Sequence, residues 1–458
     1  MLKQGENKVE QKLKETGIAQ KTGKTFSITK VAFIIMVISG ISKILALFRE
    51  TTLATYFGAN YQTDAYRMAS GVPTILFSLI SAAITTTFIP VYSDYIKKKS
   101  KEQGLYFVNN ILNVYLLISV ALLVIGSISS PVLVKITAPG FKGEIFDLTV
   151  KLTVIMMPSF VFALLSNLAS GYLQSHDSFI PSAFNWIPHN IIIILSTVIF
   201  YKYGIEAVAA GNVLASFSLV LVQLPFVYKK GYRYKPVLNF KEEGLRKISV
   251  LFIPIIISSA FNQVDVLINR VLASGLNEGS ISALDYADKV NNLVYNIFII
   301  TFATVIYPGL SLASGDPDKF REKLVKGLKC IIILSMPAMG CIFVLRIPIV
   351  RLLFERGAFN AEDTYNTAIA LGCYSVGIIG EGFREILNRA FYSLKDTKTP
   401  MVNGIAAICI NIVLNVIFVK FWGIGGLAIS TSMTAILSGL MLLYRLKKKF
   451  GIFAGREL

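Results

Sequence analysis

Apolar runs separated by clusters of turn residues and charges predict twelve helices along the chain. Six lie near 31–48, 68–92, 105–133, 148–174, 182–201 and 207–228, and six more near 248–273, 283–309, 328–350, 364–387, 400–421 and 424–444. A hydrocarbon core about 30 Å thick needs roughly 20 apolar residues per helix, so runs of this length can cross a bilayer. Several carry proline, as in Met156-Met157-Pro158 and Ile253-Pro254. Membrane helices tolerate this where neighbouring helices re-satisfy the freed backbone groups. With 54% hydrophobic residues, 16% charged and a mean hydropathy of +0.62, the 458-residue chain reads as an all-α integral membrane protein and leaves no room for a large soluble catalytic domain.

The formal charge of +18 follows from where the cations sit. If the amino terminus is cytoplasmic, 31 of the 45 Lys and Arg fall in segments on that side, ten in the opposite loops, and Lys43, Arg270, Lys289 and Arg384 within or at the edge of helices. The positive-inside bias places both termini in the cytoplasm. Runs such as Lys97-Lys98-Lys99 and Lys447-Lys448-Lys449 then read as lipid-facing anchors and not as a nucleic-acid patch. The first 30 residues, rich in Lys without an apolar core, read as a solvated basic tail. Cys330, Cys341, Cys373 and Cys409 lie in apolar stretches without CxxC spacing and read as small buried hydrophobes.

The two halves repeat at an offset near 218. Thr86 to Pro90 (TTFIP) answers Thr304 to Pro308 (TVIYP), Pro131 with Gly140 answers Pro348 with Gly357, Asp177 with Pro181 answers Asp396 with Pro400, and VIFYKYGI from Val198 answers VIFVKFWGI from Val416. Collinear matches of this kind predict two six-helix lobes in one orientation: a tail at 1–30, a first lobe at 31–228, a linker at 229–247, a second lobe at 248–444 and a tail at 445–458. The substrate path of such a carrier runs between the lobes.

Ionisable groups at bilayer depth cost at least about 2.5 to 3.5 kcal/mol, so they mark cavities or partners. Lys43, Arg49 and Glu50 lie on the first helix, Asp64 and Arg67 lead into the second, and Asp265, Arg270, Asp285, Asp288 and Lys289 lie on the first two helices of the second half. Under the repeat, Arg49 and Arg270 nearly coincide, so each lobe can offer a cation to one cavity. The plainer alternative is internal pairing, as Lys289 with Asp285 four residues earlier. Glu381, Arg384 and Glu385 are spaced for intrahelical pairing. With two histidines, no paired-ligand spacing, no Gly-rich phosphate loop and no nucleophile with a base, neither a metal site, a cofactor nor an enzyme is expected.

At ISKILALFRETTLATYFGANYQTDAY, ITAPGF (136–141), QLPFVYKKG (223–231), LASGLNEGSISALDYADK (272–289), LLFERGAF (352–359) and RAFYSLKDTKTP (389–400), the sequence resembles the MurJ (MviN) family of lipid II flippases. That family lies within the superfamily of multidrug and polysaccharide exporters. The resemblance implies a V-shaped, two-lobed carrier with a central cavity. It would move undecaprenyl-pyrophosphate-linked disaccharide-peptide outward across a bacterial plasma membrane by alternating access, with cell-wall synthesis proteins as partners and no nucleic acid. Carried over by position, the family's cavity cations match Lys43, Arg49 and Lys289, and its TDA aspartate matches Asp64. Where relatives carry a second-helix arginine this chain has Phe77, and Arg270 on the facing helix is the expected replacement. The family's usual thirteenth and fourteenth helices are not among the twelve predicted. Another polyprenyl-linked glycan, of capsule or teichoic type, is the alternative cargo, and a multidrug cation antiporter is a third reading. An interior-negative potential favours outward movement of an anion; the coupling ion stays open.

Overall fold

The computed structural model describes residues 18–451, with side chains described from Lys30 onward apart from residues 82, 83, 85, 251–254, 257, 258, 261 and 262. Most of the predicted basic tail at 1–30, and the last seven residues of the tail at 445–458, lie outside the described residues.

The fold is helical throughout: α1 (Ile18–Phe57), α2 (Tyr61–Lys98), α3 (Lys101–Ile128), α4 (Ser130–Thr137), α5 (Glu144–Met156), α6 (Pro158–Gln174), α7 (Ile180–Phe184), α8 (Trp186–Phe200) and α9 (Ile205–Lys229), then α10 (Glu243–Ser274), α11 (Ser280–Val294), α12 (Thr301–Ala313), α13 (Pro317–Phe354), α14 (Ala361–Ser393) and α15 (Lys398–Phe450). Each predicted segment falls on helical backbone. Among the described residues, nine stretches are long and apolar enough to span a bilayer. One of these, α15, runs 53 residues and breaks at Gly423, whose φ of 52° and ψ of −123° only glycine adopts at low cost. Helices α10 and α14, which carry the embedded charges, are not among the nine. A six-residue π segment, Tyr295–Ile300, joins α11 to α12.

Buried apolar side chains form three clusters. One is built mainly from α10 to α15 and takes in Ala54, Met68, Ala138 and Phe141 from the first half. The second joins α2, α3, α6 and the linker around Phe88, Phe107 and Tyr172, and the third joins α1, α2, α5 and α9 around Leu53, Leu152 and Val208. Large side chains such as Leu312, Val305 and Phe421 lie on the outside, as expected where the solvent is hydrocarbon. The same inversion corrects the reading of the cysteines: Cys341 and Cys409 are exposed and Cys330 and Cys373 half-buried, because an apolar face of a membrane helix needs no burial in protein.

The repeat recurs in backbone detail. Asp177 and Lys395, 218 residues apart, are the two non-glycine residues with positive φ among the described residues. Each closes the same turn, with Ser178 N–H donating to Leu173 O and Asp396 N–H to Phe391 O, both at 2.9 Å.

Between α9 and α10 the chain has no regular structure, yet much of its backbone is hydrogen-bonded to side chains. Three asparagines on α3 do this. Asn109 Nδ2 donates to Arg233 O (3.0 Å) while its Oδ1 accepts from Lys235 N (2.9 Å), and Asn110 exchanges two bonds with the backbone of Asn239 (2.8 and 2.7 Å). Asn113 Nδ2 donates to Val237 O (2.9 Å). Buried polar groups that lose such partners cost about 1–3 kcal/mol each. Asn110→Ala should therefore destabilise the protein by about 2 kcal/mol and open residues 233–239 to protease, read as a lower melting temperature in detergent and faster linker cleavage.

Candidate substrate cavity

Helix α2 begins at Tyr61 because Asn60 caps it: its side chain accepts from Gln62 N and Thr63 N, and Thr63 Oγ1 accepts from Asn60 N in return. This start, seven residues before the predicted one, puts Asp64 and Arg67 on the helix. Asp64 is buried, and its carboxylate accepts from Gly279 N (2.7 Å), Ser282 N (2.8 Å) and Ser282 Oγ (2.7 Å), so it caps α11 from across the molecule. Glu278 returns the favour, accepting from Tyr61 N at 2.8 Å. Beside these caps Ala358 N–H donates to Thr55 O (2.8 Å) and Gly140 N–H to Ser274 Oγ (3.1 Å). Gly140 and Gly357 lie so close to the carbonyls of Ser274 and Thr55 that a Cβ would not fit. The first and second halves are thus latched together at the end that holds these loops.

Below the latch lies a cavity of about 650 Å³ with walls from both halves, including Arg49, Glu50, Arg67, Phe77, Arg270, Asp285, Asp288 and Lys289. Arg67 is its centre. It pairs with Glu50 on α1 and, at 2.7 Å, with Asp285 on α11, and its guanidinium lies 5.0 Å from the ring centroid of Tyr286. Glu50, 2% exposed, also pairs with Arg49 (2.6 Å), whose Nη1 donates to Asn190 Oδ1 (3.1 Å). Lys289 lies 3.8 Å from Asp285, a long contact that leaves most of its donor capacity open.

Of the residues expected to bind substrate, Arg49, Arg270 and Lys289 line this cavity, as do the charges Glu50, Arg67, Asp285 and Asp288 also marked in the sequence. Lys43 does not. It lines an adjoining recess of about 150 Å³ between α1 and α11, together with Arg49, Glu50 and Lys289. Asp64 is also a correction, because both its oxygens are committed to the cap of α11, away from the cavity. Arg270 is packed against Gly71, where any side chain would overlap its guanidinium, and its buried Nη1 has no hydrogen-bond partner. Its nearest charged residue in sequence, Asp265, lines a different cavity. The intrahelical pairing expected of Glu381, Arg384 and Glu385 is not formed: Glu385 pairs instead with Arg389 (2.8 Å), one turn further on.

Sequence reasoning undervalued Arg67. The signal was present in TDAYR, but a helix boundary drawn at residue 68 counted this arginine with the loop. The Asn60 cap with Thr63 three residues on was the feature that could have moved it.

The model of a family described as lipid II flippase MurJ matches residues 53–458. The chain belongs to the MurJ family. A probable lipid II flippase MurJ of Buchnera aphidicola from Acyrthosiphon pisum is 31% identical over 417 residues, covering 89% of this chain and 82% of the relative. The lipid II flippase MurJ of Burkholderia cenocepacia is 29% identical over 425 residues, covering 90% and 82%. A solved MurJ in an inward closed conformation superposes with a TM-score of 0.81 at 29% identity, over 91% of this chain and 87% of that one. A multidrug transporter of the MATE family, inward-facing, superposes at 0.73 with 14% identity, over 92% and 99%, a likeness of fold alone. MurJ membership makes the chain a multi-pass membrane protein.

Two substitutions test the geometry. Glu50→Ala removes one of the two acids that hold Arg67 and the ion-pair partner of Arg49, and should cost about 3 kcal/mol, read as thermal stability in detergent. Asp64→Ala should loosen the latch: cysteines at Thr55 and Ala358, in a background without native cysteines, should cross-link several-fold more slowly than with Asp64 in place.

Proposed function

We propose that this chain flips lipid II from the inner to the outer leaflet of a bacterial plasma membrane by alternating access. The observation that carries the reading is the cavity's charge: four cations, Arg49, Arg67, Arg270 and Lys289, face three carboxylates, Glu50, Asp285 and Asp288, with Lys43 at the adjoining recess. The surplus is positive, as an anionic pyrophosphate requires. Among the described residues, Arg67 and Arg49 are held by acids, although Arg67 Nε has no partner, whereas Arg270 makes no ion pair and Lys289 only a long one, so these two are the first contacts for phosphate oxygens. Lysine supplies a point charge where arginine supplies a fork, and Arg270 restores a fork opposite Phe77.

Both termini lie in the cytoplasm in this reading, so the latched end faces outward and the cavity admits substrate from the inside. Arg67, tied to both halves, senses the arrival of an anion: phosphate oxygens compete with Asp285 for its guanidinium and weaken a bond that crosses the cavity. Each net negative charge moved out through an interior-negative potential of 100 mV gains about 2.3 kcal/mol.

The test is replacement. The gene should sustain growth of cells depleted of their own lipid II flippase, and failure with correct membrane insertion would overturn the cargo. Within that assay Arg270→Ala should impair function about as much as Arg49→Ala, and Phe77→Arg combined with Arg270→Ala should recover part of it. Purified protein should bind lipid-linked pyrophosphate with an affinity that falls as salt rises.

A further inference from the structure

A second cavity, of about 460 Å³, lies wholly within the second half, between α10, α14 and α15. Its walls carry Asp265 on α10, Glu381 and Arg384 on α14, and the amides Asn403 and Asn411 on α15. Three acceptor atoms here have no hydrogen-bond partner although they are shut from solvent: Asp265 Oδ1, Glu381 Oε2 and Asn403 Oδ1. Asn403 is 2% exposed, and its Nδ2 is anchored on Ser438, so its oxygen is held in place.

The charges do not balance. Among the described residues, Arg384 is the cation that acts on both Asp265 and Glu381. Glu385 is neutralised by Arg389, and the residues of α15 lining the cavity bring no charge. From α11, Asp288 adds a further negative field at Glu381, and the phenols of Tyr295 and Tyr374 lie within its reach. Two carboxylates and one guanidinium leave one negative charge uncompensated at bilayer depth, which is costly unless a cation or a proton cancels it. Among the described residues no three metal-ligating side chains of the His, Cys, Asp and Glu type come together.

We propose that this cavity is a proton-binding site, with Glu381 as the group that takes the proton and Asp265 and Arg384 setting its affinity. It communicates with the substrate cavity. Thr431 lines both, and Asp288, whose field reaches Glu381, lines the substrate cavity. An anion entering the substrate cavity adds negative charge near Glu381 and strengthens proton binding there, and by reciprocity a bound proton strengthens anion binding. This second step rests on the proposed anionic cargo; the proton site does not.

The experiment is an infrared pH titration of the purified full-length protein in lipid nanodiscs, following the C=O stretch of protonated carboxyls, with thermal stability confirming that each variant is folded. Wild type should show a carboxyl band that titrates, and Glu381→Gln should remove it. Asp265→Asn takes away a like charge and should lower the midpoint by about one pH unit, whereas Arg384→Gln should raise it. A band that survives Glu381→Gln overturns the proposal. So does a band that vanishes when sodium replaces N-methylglucamine at constant pH and ionic strength, since the site would then hold a metal cation. Adding inorganic pyrophosphate should raise the midpoint in wild type and much less in Lys289→Ala with Arg270→Ala. Absence of that shift alone, with the band intact, would sink the coupling to the substrate cavity and leave the proton site standing.

Discussion

Charge at bilayer depth has to be answered by charge, and here Arg67 answers twice. Its guanidinium holds Glu50 from the first half and Asp285 from the second, so the most expensive groups in the membrane are satisfied only while the two halves stand in this arrangement. Removing any one member would leave a buried charge short of a partner, which costs more than the pair contributes. The same constraint shapes the rest of the cavity: Arg49 leans on Glu50 and Asn190, Lys289 leans loosely on Asp285, and Arg270 is left with an unfilled donor.

The latch above the cavity uses different physics. Asp64 and Glu278 each satisfy backbone amides at the start of a helix belonging to the other half, so the bonds are made to peptide groups that no side-chain replacement can remove. Reciprocal caps of this kind are weak individually and neutral to the sequence of the helix they cap. Such a contact can be broken and remade at modest cost, whereas the ion pairs beneath it have to be exchanged for other charges.

Much of this was legible in the chain. Every predicted apolar run lies on helical backbone, and intramembrane charge picked out Arg49, Arg270 and Lys289, because burial of charge leaves a mark in the sequence wherever it happens. What the runs could not give was the start of α2, where a polar cap and two charged residues precede the first apolar stretch; Arg67, named among the charges, was left out of the cavity cations with it. Asp64 was found but assigned to the wrong task, since a carboxylate that caps a distant helix and one that faces a cavity look alike in one dimension. Lys43 pointed to the right region, and only three-dimensional packing could put it in the recess beside the cavity. The pairing expected of Glu381, Arg384 and Glu385 failed for a related reason: helical spacing permits several partners, and Arg389, one turn on, took Glu385.

The asparagine clamp on the linker has a mechanical meaning. Residues 233–239 are pinned to α3, Glu242 caps α10 through Leu245 N while accepting from Tyr95 on α2, and Gly244 sits against Phe107. The start of α10 is therefore carried by the first half, and along its length the helix packs on α2 as well as on α15 and α11 of the second. A connector tied down in this way cannot serve as the slack joint between two rocking bodies, and the bending is transferred into the length of α10 itself, a helix that has to flex like a leaf spring.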